Sequence, residues 1–323
     1  MVGGSGRIGL NMTLSRDYRP TEIDQLWGNR AMIASFKSVY FEREHDYPHA
    51  VMLCGPKGCG KTTIARIIAN ILESHGSDLV EIDGGTVNAE MVRQIKQQIR
   101  YKPMVSKSRV WIIDEAHMIG QGGGSEKNIP QNNMLKTLEE PPVHAFFILC
   151  TTDPARLLGT IHSRCHIFEV SYLSRGDMLG LLKETLEKEN MEIDEEVLKE
   201  ISDASEGCPR DALKILDQVI DMKPEEMIDA VQRFGFDEKN IVDLGKALFG
   251  KQSWDRVRKI VAGIDLSNPE SARRAIIGWM AKEIMKGDNP DAALIYDCFR
   301  EPLYSTGKPG FIFACYQAVI SLI

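Results

Sequence analysis

The chain has 323 residues, 43% of them hydrophobic and 26% charged, with a formal net charge of −7. That is ordinary globular composition with room for about two or three domains, and no apolar run reaches the roughly eighteen residues of a membrane span. The acidic total leaves any nucleic-acid contact to a local basic patch, while seven scattered cysteines without a C-x-x-C pair argue against a disulfide framework or zinc cluster and for a reducing cytoplasm.

The N-terminal stretch "MVGGSGRIGLNMTLSRDYRP" lacks the apolar centre of a signal peptide, and its "GGSG" reads as a flexible lead-in or a leftover of cloning. Short apolar runs at 50–54, 79–83, 109–114 and 145–151 predict strands of a parallel sheet joined by helical crossovers. The first runs into Gly55, Pro56, Lys57, Gly58, Cys59, Gly60, Lys61 and Thr62, which fit G-x-x-x-x-G-K-[ST] in full, with Thr63 opening an amphipathic helix. Glycines let the backbone curl until its N–H groups face phosphates at the helix N-terminus. Lys61 would reach the β- and γ-phosphates of a nucleotide, and Thr62 would ligate Mg2+.

Next along the chain, "AEMVRQIKQQIRYKP" (89–103) predicts a helix. At about 100° per residue, Val92, Ile95 and Ile99 form a stripe to bury, and Arg93, Lys96 and Arg100 form another on the flank. The second stripe is either a solvated face or a surface for phosphates. The strand in "RVWIIDEAHMI" ends in Asp114 and Glu115. There the first carboxylate can hold Mg2+ through water and the second can orient an attacking water. The string "DEAH" also invites a helicase reading, but no second strand–helix lobe follows residue 172. "GQGGGSEKN" (120–128) is a loop by composition. No strand-like run follows "HIFEVSYL"; charged, helix-forming sequence takes over from about 172, with a second break near "RFGFDEKN" at 233–240.

The segment "NNMLKTLEEPPVHAFFILCTTDPARLLGTIHSRCHIFEV" (132–170) closely resembles the ATPase subunits of DNA clamp loaders in the AAA+ superfamily, and most of all the gamma/tau subunits of bacterial DNA polymerase III. "LSRDYRPTEIDQLWGN" (14–29) and "EGCPRDALKILDQVI" (206–220) are similar to further stretches of that family, so the likeness covers about 14–220.

This resemblance implies an α/β AAA+ domain with a parallel sheet over 1–171, a small helical lid domain over 172–236 and a helical collar for oligomerisation over 237–323. It implies that Thr152 senses the γ-phosphate, that Arg164 of "SRC" is an arginine finger for a neighbouring subunit's ATP, and that Arg210 of "CPRDAL" senses the chain's own nucleotide. Tyr18, Arg19, Pro20 and Trp27 fall where the family holds adenine, and Trp27 also reads as plain core. The helix that carries Arg93, Lys96 and Arg100 falls where the family's DNA-facing helix lies, and that helix also has an arginine matching Arg93. Met118, Ile119 and the 120–128 loop become candidates for contact with a sliding clamp. The implied partners are other clamp-loader subunits in a pentameric ring, the clamp, primer–template DNA and the replicative polymerase, in a bacterial or phage-infected cell. Two alternatives stay open: another AAA+ motor such as a branch-migration helicase, and a structural subunit that binds nucleotide without hydrolysing it. One departure matters, since the bacterial subunits carry a four-cysteine zinc module after the phosphate-loop helix, whereas 64–113 contains no cysteine and no zinc is expected.

Overall fold

In the computed structural model, which describes residues 13–42, 46–120, 129–232, 238–264, 266, 269–287, 289–303 and 306–322, five strands form one parallel sheet. They are β1 (Ala50–Cys54), β2 (Leu79–Asp83), β3 (Arg109–Asp114), β4 (Ala145–Thr151) and β5 (His166–Glu169). Their order is β2-β3-β4-β1-β5, with Val51 opposite Ile148 and Ile112 opposite the same residue from the other side. The four strands expected from apolar runs are present, and among the described residues no strand follows β5.

Continuous apolar runs suit strands covered on both faces, and successive side chains point to opposite faces. Val51, Leu53, Ile112, Ile148 and Cys150 therefore pack on one side, against Phe36, Ile64 and Ile68 from the helices Arg30–Tyr40 and Lys61–Ile71. Met52, Trp111, Ile113, Phe147 and Leu149 pack on the other, against Val92 and Ile95 of the helix Ala89–Gln98 and Met134 and Leu138 of the helix Ile129–Glu139. Trp111 stacks on Phe147, ring centroids 5.1 Å apart, and is fully buried. Burying each such large side chain stabilises the sheet by about 1.5–3 kcal/mol.

The chain forms two compact units. The first comprises Met1–Thr185 with Gly207–Lys214 and holds the sheet. It includes most of the helix Arg175–Glu189 and the start of the helix Pro209–Val219. The second, Leu186–Glu206 with Ile215–Ile323, is helical among the described residues. Leu244, Ile276, Ile295 and Phe311 lie at its centre, each at most 0% exposed. Beside them Glu270 accepts from Arg273 Nε at 2.8 Å and from the Leu303 amide at 2.9 Å, a buried charge whose lone pairs are met.

Most thiols are withdrawn from solvent: Cys54, Cys59, Cys150, Cys208 and Cys315 are buried, and Cys165 and Cys298 are half-buried. Burial pushes Cys54 up to about 11 and Cys165 and Cys208 up to about 12, and it raises the other four as well.

Candidate functional site

The glycine-rich turn sits between the end of β1 and the helix Lys61–Ile71. Gly58 and Gly60 take φ of +77° and +106°, a left-handed backbone that glycine alone adopts freely. The turn thereby aims the start of the helix, with its unsatisfied N–H groups, at a single concavity. Lys61 is only 6% exposed and donates from Nζ to the carbonyls of Gly55 at 2.8 Å and Pro56 at 2.7 Å. A curled loop, a helix N-terminus and a buried ammonium form the donor set that phosphate takes.

Across the sheet's carboxyl edge, Thr62 Oγ1 donates to Asp114 Oδ2 at 2.9 Å, and Asp114 Oδ1 accepts from the Glu115 amide at 3.0 Å. A hydroxyl and a carboxylate at this spacing are hard oxygen ligands of the kind Mg2+ prefers. Glu115 sits at φ +47°, an unusual backbone for a residue with a side chain, and its Oε2 accepts from Thr152 Oγ1 at 3.2 Å. His117 Nδ1 lies 3.4 Å from the same oxygen and 3.2 Å from Thr151 Oγ1. Sequence reasoning missed His117, although the "DEAH" string displayed it.

A single cleft is lined by Tyr18, Arg19, Pro20, Trp27, Lys57, Gly58, Cys59, Gly60, Lys61, Thr62, Thr63, Asp114, Glu115 and Arg210. Gly55 and Pro56 lie beneath it as acceptors for Lys61. Burial lowers the Arg19 guanidinium, as do the nearby charges of Arg66 and Arg210. Arg66 is held by Glu81 through two bonds of 2.7 Å, and those bonds lower the Glu81 carboxyl. Arg19, Lys57, Lys61 and Arg210 give the cleft the positive field of a polyanion site. Leu26, Trp27, Met32, Leu181 and Leu213 supply its apolar part.

Arg164 is not among these residues. It follows the short helix Gly159–His162, donates from Nη1 to the Thr160 carbonyl at 2.8 Å and from Nη2 to Glu139 at 3.0 Å, and buries its Nε without a partner.

Two groups of expected surface residues differ from their pattern in the sequence. The helix Ala89–Gln98 ends before Arg100, which lies in a turn with its amide bonded to the Gln97 carbonyl at 3.3 Å. Pro103 disfavours a helical residue before it, so the periodic pattern outruns the helix. Arg93 and Arg100 are exposed, Lys96 is half-buried, and Glu90 partners Arg93 at 3.2 Å. The expectation for Ile119 needs correction: it is 1% exposed and packs in the cluster with Val92 and Ile95, so it offers no surface to a partner. Met118 is half-buried. Of the 120–128 loop, residues 121–128 lie outside the described residues.

A feature invisible in the sequence lies nearby. Asp78, fully buried, accepts from the amides of Met104, Val105 and Ser106 at 2.9, 2.8 and 3.1 Å and from Arg109 Nη2 at 2.8 Å. Burial pushes this carboxyl up, but the backbone donors and Arg109 outweigh burial and hold it at about 2. The loop so fixed exposes Met104 (82%) and Tyr101 (70%).

Comparison with known proteins adds the following. Residues 70–174 match the family model of the DNA polymerase III delta subunit, and residues 179–223 that of the ATPase lid domain of DNA polymerase III clamp loader subunits. The DNA polymerase III subunit gamma of Buchnera aphidicola is 35% identical over 230 residues, 64% of this chain and 61% of that protein. The subunit tau of Bacillus subtilis is 31% identical over 229 residues, 64% of this chain and 39% of that one. The chain thus spans less than two thirds of these relatives' length. Among solved structures, the Thermotoga maritima RuvB Holliday junction branch migration motor aligns with a TM-score of 0.55 at 20% identity, covering 72% of this chain and 79% of that one, a likeness of fold.

Proposed function

We propose, from this chain's kinship with the gamma and tau subunits of bacterial DNA polymerase III, that it is the ATPase subunit of a DNA sliding-clamp loader. The observation that carries the reading is the convergence of Lys61, Thr62, Asp114, Glu115 and Arg210 on one cleft beside the phosphate loop.

In this reading ATP lays its triphosphate along Gly55–Thr63, with Lys61 and Arg210 neutralising its charge. Thr62 and Asp114 would hold Mg2+, which supplies charge neutralisation to the phosphates when bound. Glu115 orients the attacking water. Thr152, bonded to Glu115 at 3.2 Å, aligns it and faces the γ-phosphate. Arg164, absent from its own chain's cleft, serves the ATP of a neighbouring subunit. Its partners Glu139 and Thr160 hold it ready at the surface. The zinc module of the bacterial subunits has no counterpart in this reading, since 64–113 lacks cysteine and burial keeps the chain's thiols protonated.

Several copies with other subunits, in a pentameric ring, would enclose primer–template DNA in the bacterial cytoplasm and connect to the replicative polymerase. Arg93, Lys96 and Arg100 would touch the DNA backbone, and Met118 would meet the clamp. The parts remain an AAA+ domain over 1–171, a lid over 172–236 and a collar over 237–323.

The test is ATPase rate with and without sliding clamp and primed DNA. Stimulation by both is expected. A branch-migration motor gains nothing from a clamp, and a non-hydrolysing subunit turns over no ATP under any condition. Turnover indifferent to the clamp would reject the clamp-loader reading.

A further inference from the structure

Trp27, Gly28 and Asn29 are stapled to the chain that leaves β5. Asn29 Nδ2 donates to the Ser171 carbonyl at 3.1 Å, and Asn29 Oδ1 accepts from the Ser171 amide at 2.8 Å and its hydroxyl at 2.9 Å. A Cβ added at Gly28 would stand 2.8 Å from Leu173 Cδ2. Trp27 lies on the helix Arg175–Glu189. Its indole N–H donates to Glu184 Oε2 at 2.7 Å, and a Cβ at Gly180 would come within 2.5 Å of Cη2 and 2.9 Å of Cε3 in the same ring. Glycine is a poor choice inside a helix. Here its missing side chain is the space the indole occupies.

The same Trp27 lines the cleft that holds Lys61 and Thr62, together with Pro20, Leu26, Met32 and Leu181. With phosphates on the loop, this apolar part is what remains for a nucleobase. A base packed on an aromatic ring gains most when the ring is already fixed, because little freedom is then lost on binding. A charge-assisted bond of 2.7 Å to Glu184 and a notch at Gly180 fix it.

We propose that Gly180 and Glu184 are positioning residues that set the plane of Trp27 and, through it, the preference of this site for a purine over a pyrimidine nucleoside triphosphate. The inference rests on the nucleotide-site reading above and deepens it. Selectivity for the base is then set by a helix that gives the phosphates no contact. Larger purine rings cover more of the indole than pyrimidines do, so loosening the indole costs the purine more.

The experiment is isothermal titration of the full chain with ATP, CTP and inorganic tripolyphosphate, for the native chain, Glu184→Leu, Glu184→Gln and Gly180→Ala. Glu184→Leu should weaken ATP binding on the order of tenfold, the worth of one bond to a charged acceptor. It should narrow the ATP/CTP ratio and leave tripolyphosphate unchanged. Glu184→Gln, whose amide oxygen accepts the same N–H, should restore ATP binding to within about threefold. Gly180→Ala should follow the leucine variant. The proposal is overturned if Glu184→Leu keeps the native ATP affinity and ATP/CTP ratio, or if tripolyphosphate weakens in step with ATP. Native protein that binds neither ATP nor tripolyphosphate would sink the nucleotide-site reading and this proposal with it. Binding of tripolyphosphate and ATP with an unmoved ratio in the variants would sink this proposal alone.

Discussion

Thr62 and Asp114 meet at 2.9 Å, joining the first turn of the phosphate-loop helix to the end of β3. With β4 lying between β1 and β3 in the sheet, the bond spans a strand that contributes Thr152 just beyond its own end. The parallel sheet thus delivers hydroxyl, carboxylate and threonine to one edge, where ligands of open α/β sheets bind.

Lys61→Ala should abolish nucleotide binding, because the buried ammonium is the loop's own cation. Glu115→Gln should bind ATP normally and turn over about 10²-fold more slowly or worse, the usual scale for a general base. Equilibrium binding and steady-state turnover measured side by side separate the two. A glutamine variant with near-normal turnover removes Glu115 from the chemistry.

Arg164→Ala should bind ATP as the native chain does and fail in hydrolysis only within the assembled complex, by roughly 10³–10⁵-fold. Leaving the exposed Glu139 costs Arg164 little, since such surface pairs contribute about 1 kcal/mol or less. Isolated chains should be slow with or without the arginine. Equal rates for isolated native chain and complex would refute a role in trans.

Asp78→Asn should destabilise the first unit by about 3–5 kcal/mol near neutral pH, the range for breaking a buried ion pair. A carboxyl held at about 2 in the fold against 3.8 ordinarily stabilises fully above 3.8, and that contribution disappears as pH falls toward 2. The gap between native and variant chains should therefore narrow, without closing, between about pH 4 and pH 2. Denaturant melts across that window check it, and equal stability at pH 7 would discount the Asp78 clamp.

Replacing Arg93, Lys96 and Arg100 by alanine together should weaken primed-DNA binding at every sequence and flatten its salt dependence, by roughly 0.9 in log–log slope per lost phosphate contact. Glu90 already neutralises part of Arg93, so that residue should count least. Titrations at several salt concentrations decide it. An unchanged slope makes this an ordinary solvated face.

Elemental analysis of purified protein should find no zinc. One equivalent would contradict the reading of its thiols as protonated and buried.

The glycine-rich turn before the helix Lys61–Ile71 and four of the strands were legible because each is local: a fixed spacing, or a run of apolar residues. What was not legible depends on distant chain. Asp78 looks like a loop residue until the amides of 104–106 arrive, and Gly180 like a helix defect until Trp27 fills its space. Arg100 shared the helical period of Arg93 and Lys96, but Pro103 ended the helix first. Ile119 looked presentable because it borders a glycine-rich loop, yet an apolar side chain next to an open core face is drawn inward. The "DEAH" string kept its histidine in plain view, but only the fold brings Thr151 beside it.

The protonated, sequestered thiols make the folded chain chemically quiet and the unfolded chain reactive. Each opening of the first unit releases Cys54, Cys59, Cys150, Cys165 and Cys208 together, and a freed thiol ionises near 8.5. In aerated buffer without a reductant, where dissolved oxygen takes the two electrons and the thiols give up their protons, an excursion long enough for oxidation is trapped as a non-native disulfide, so melting becomes irreversible and its apparent midpoint drifts with heating rate. With a thiol reagent in excess, the same excursions become countable, and the rate of labelling clocks how often the sheet comes apart.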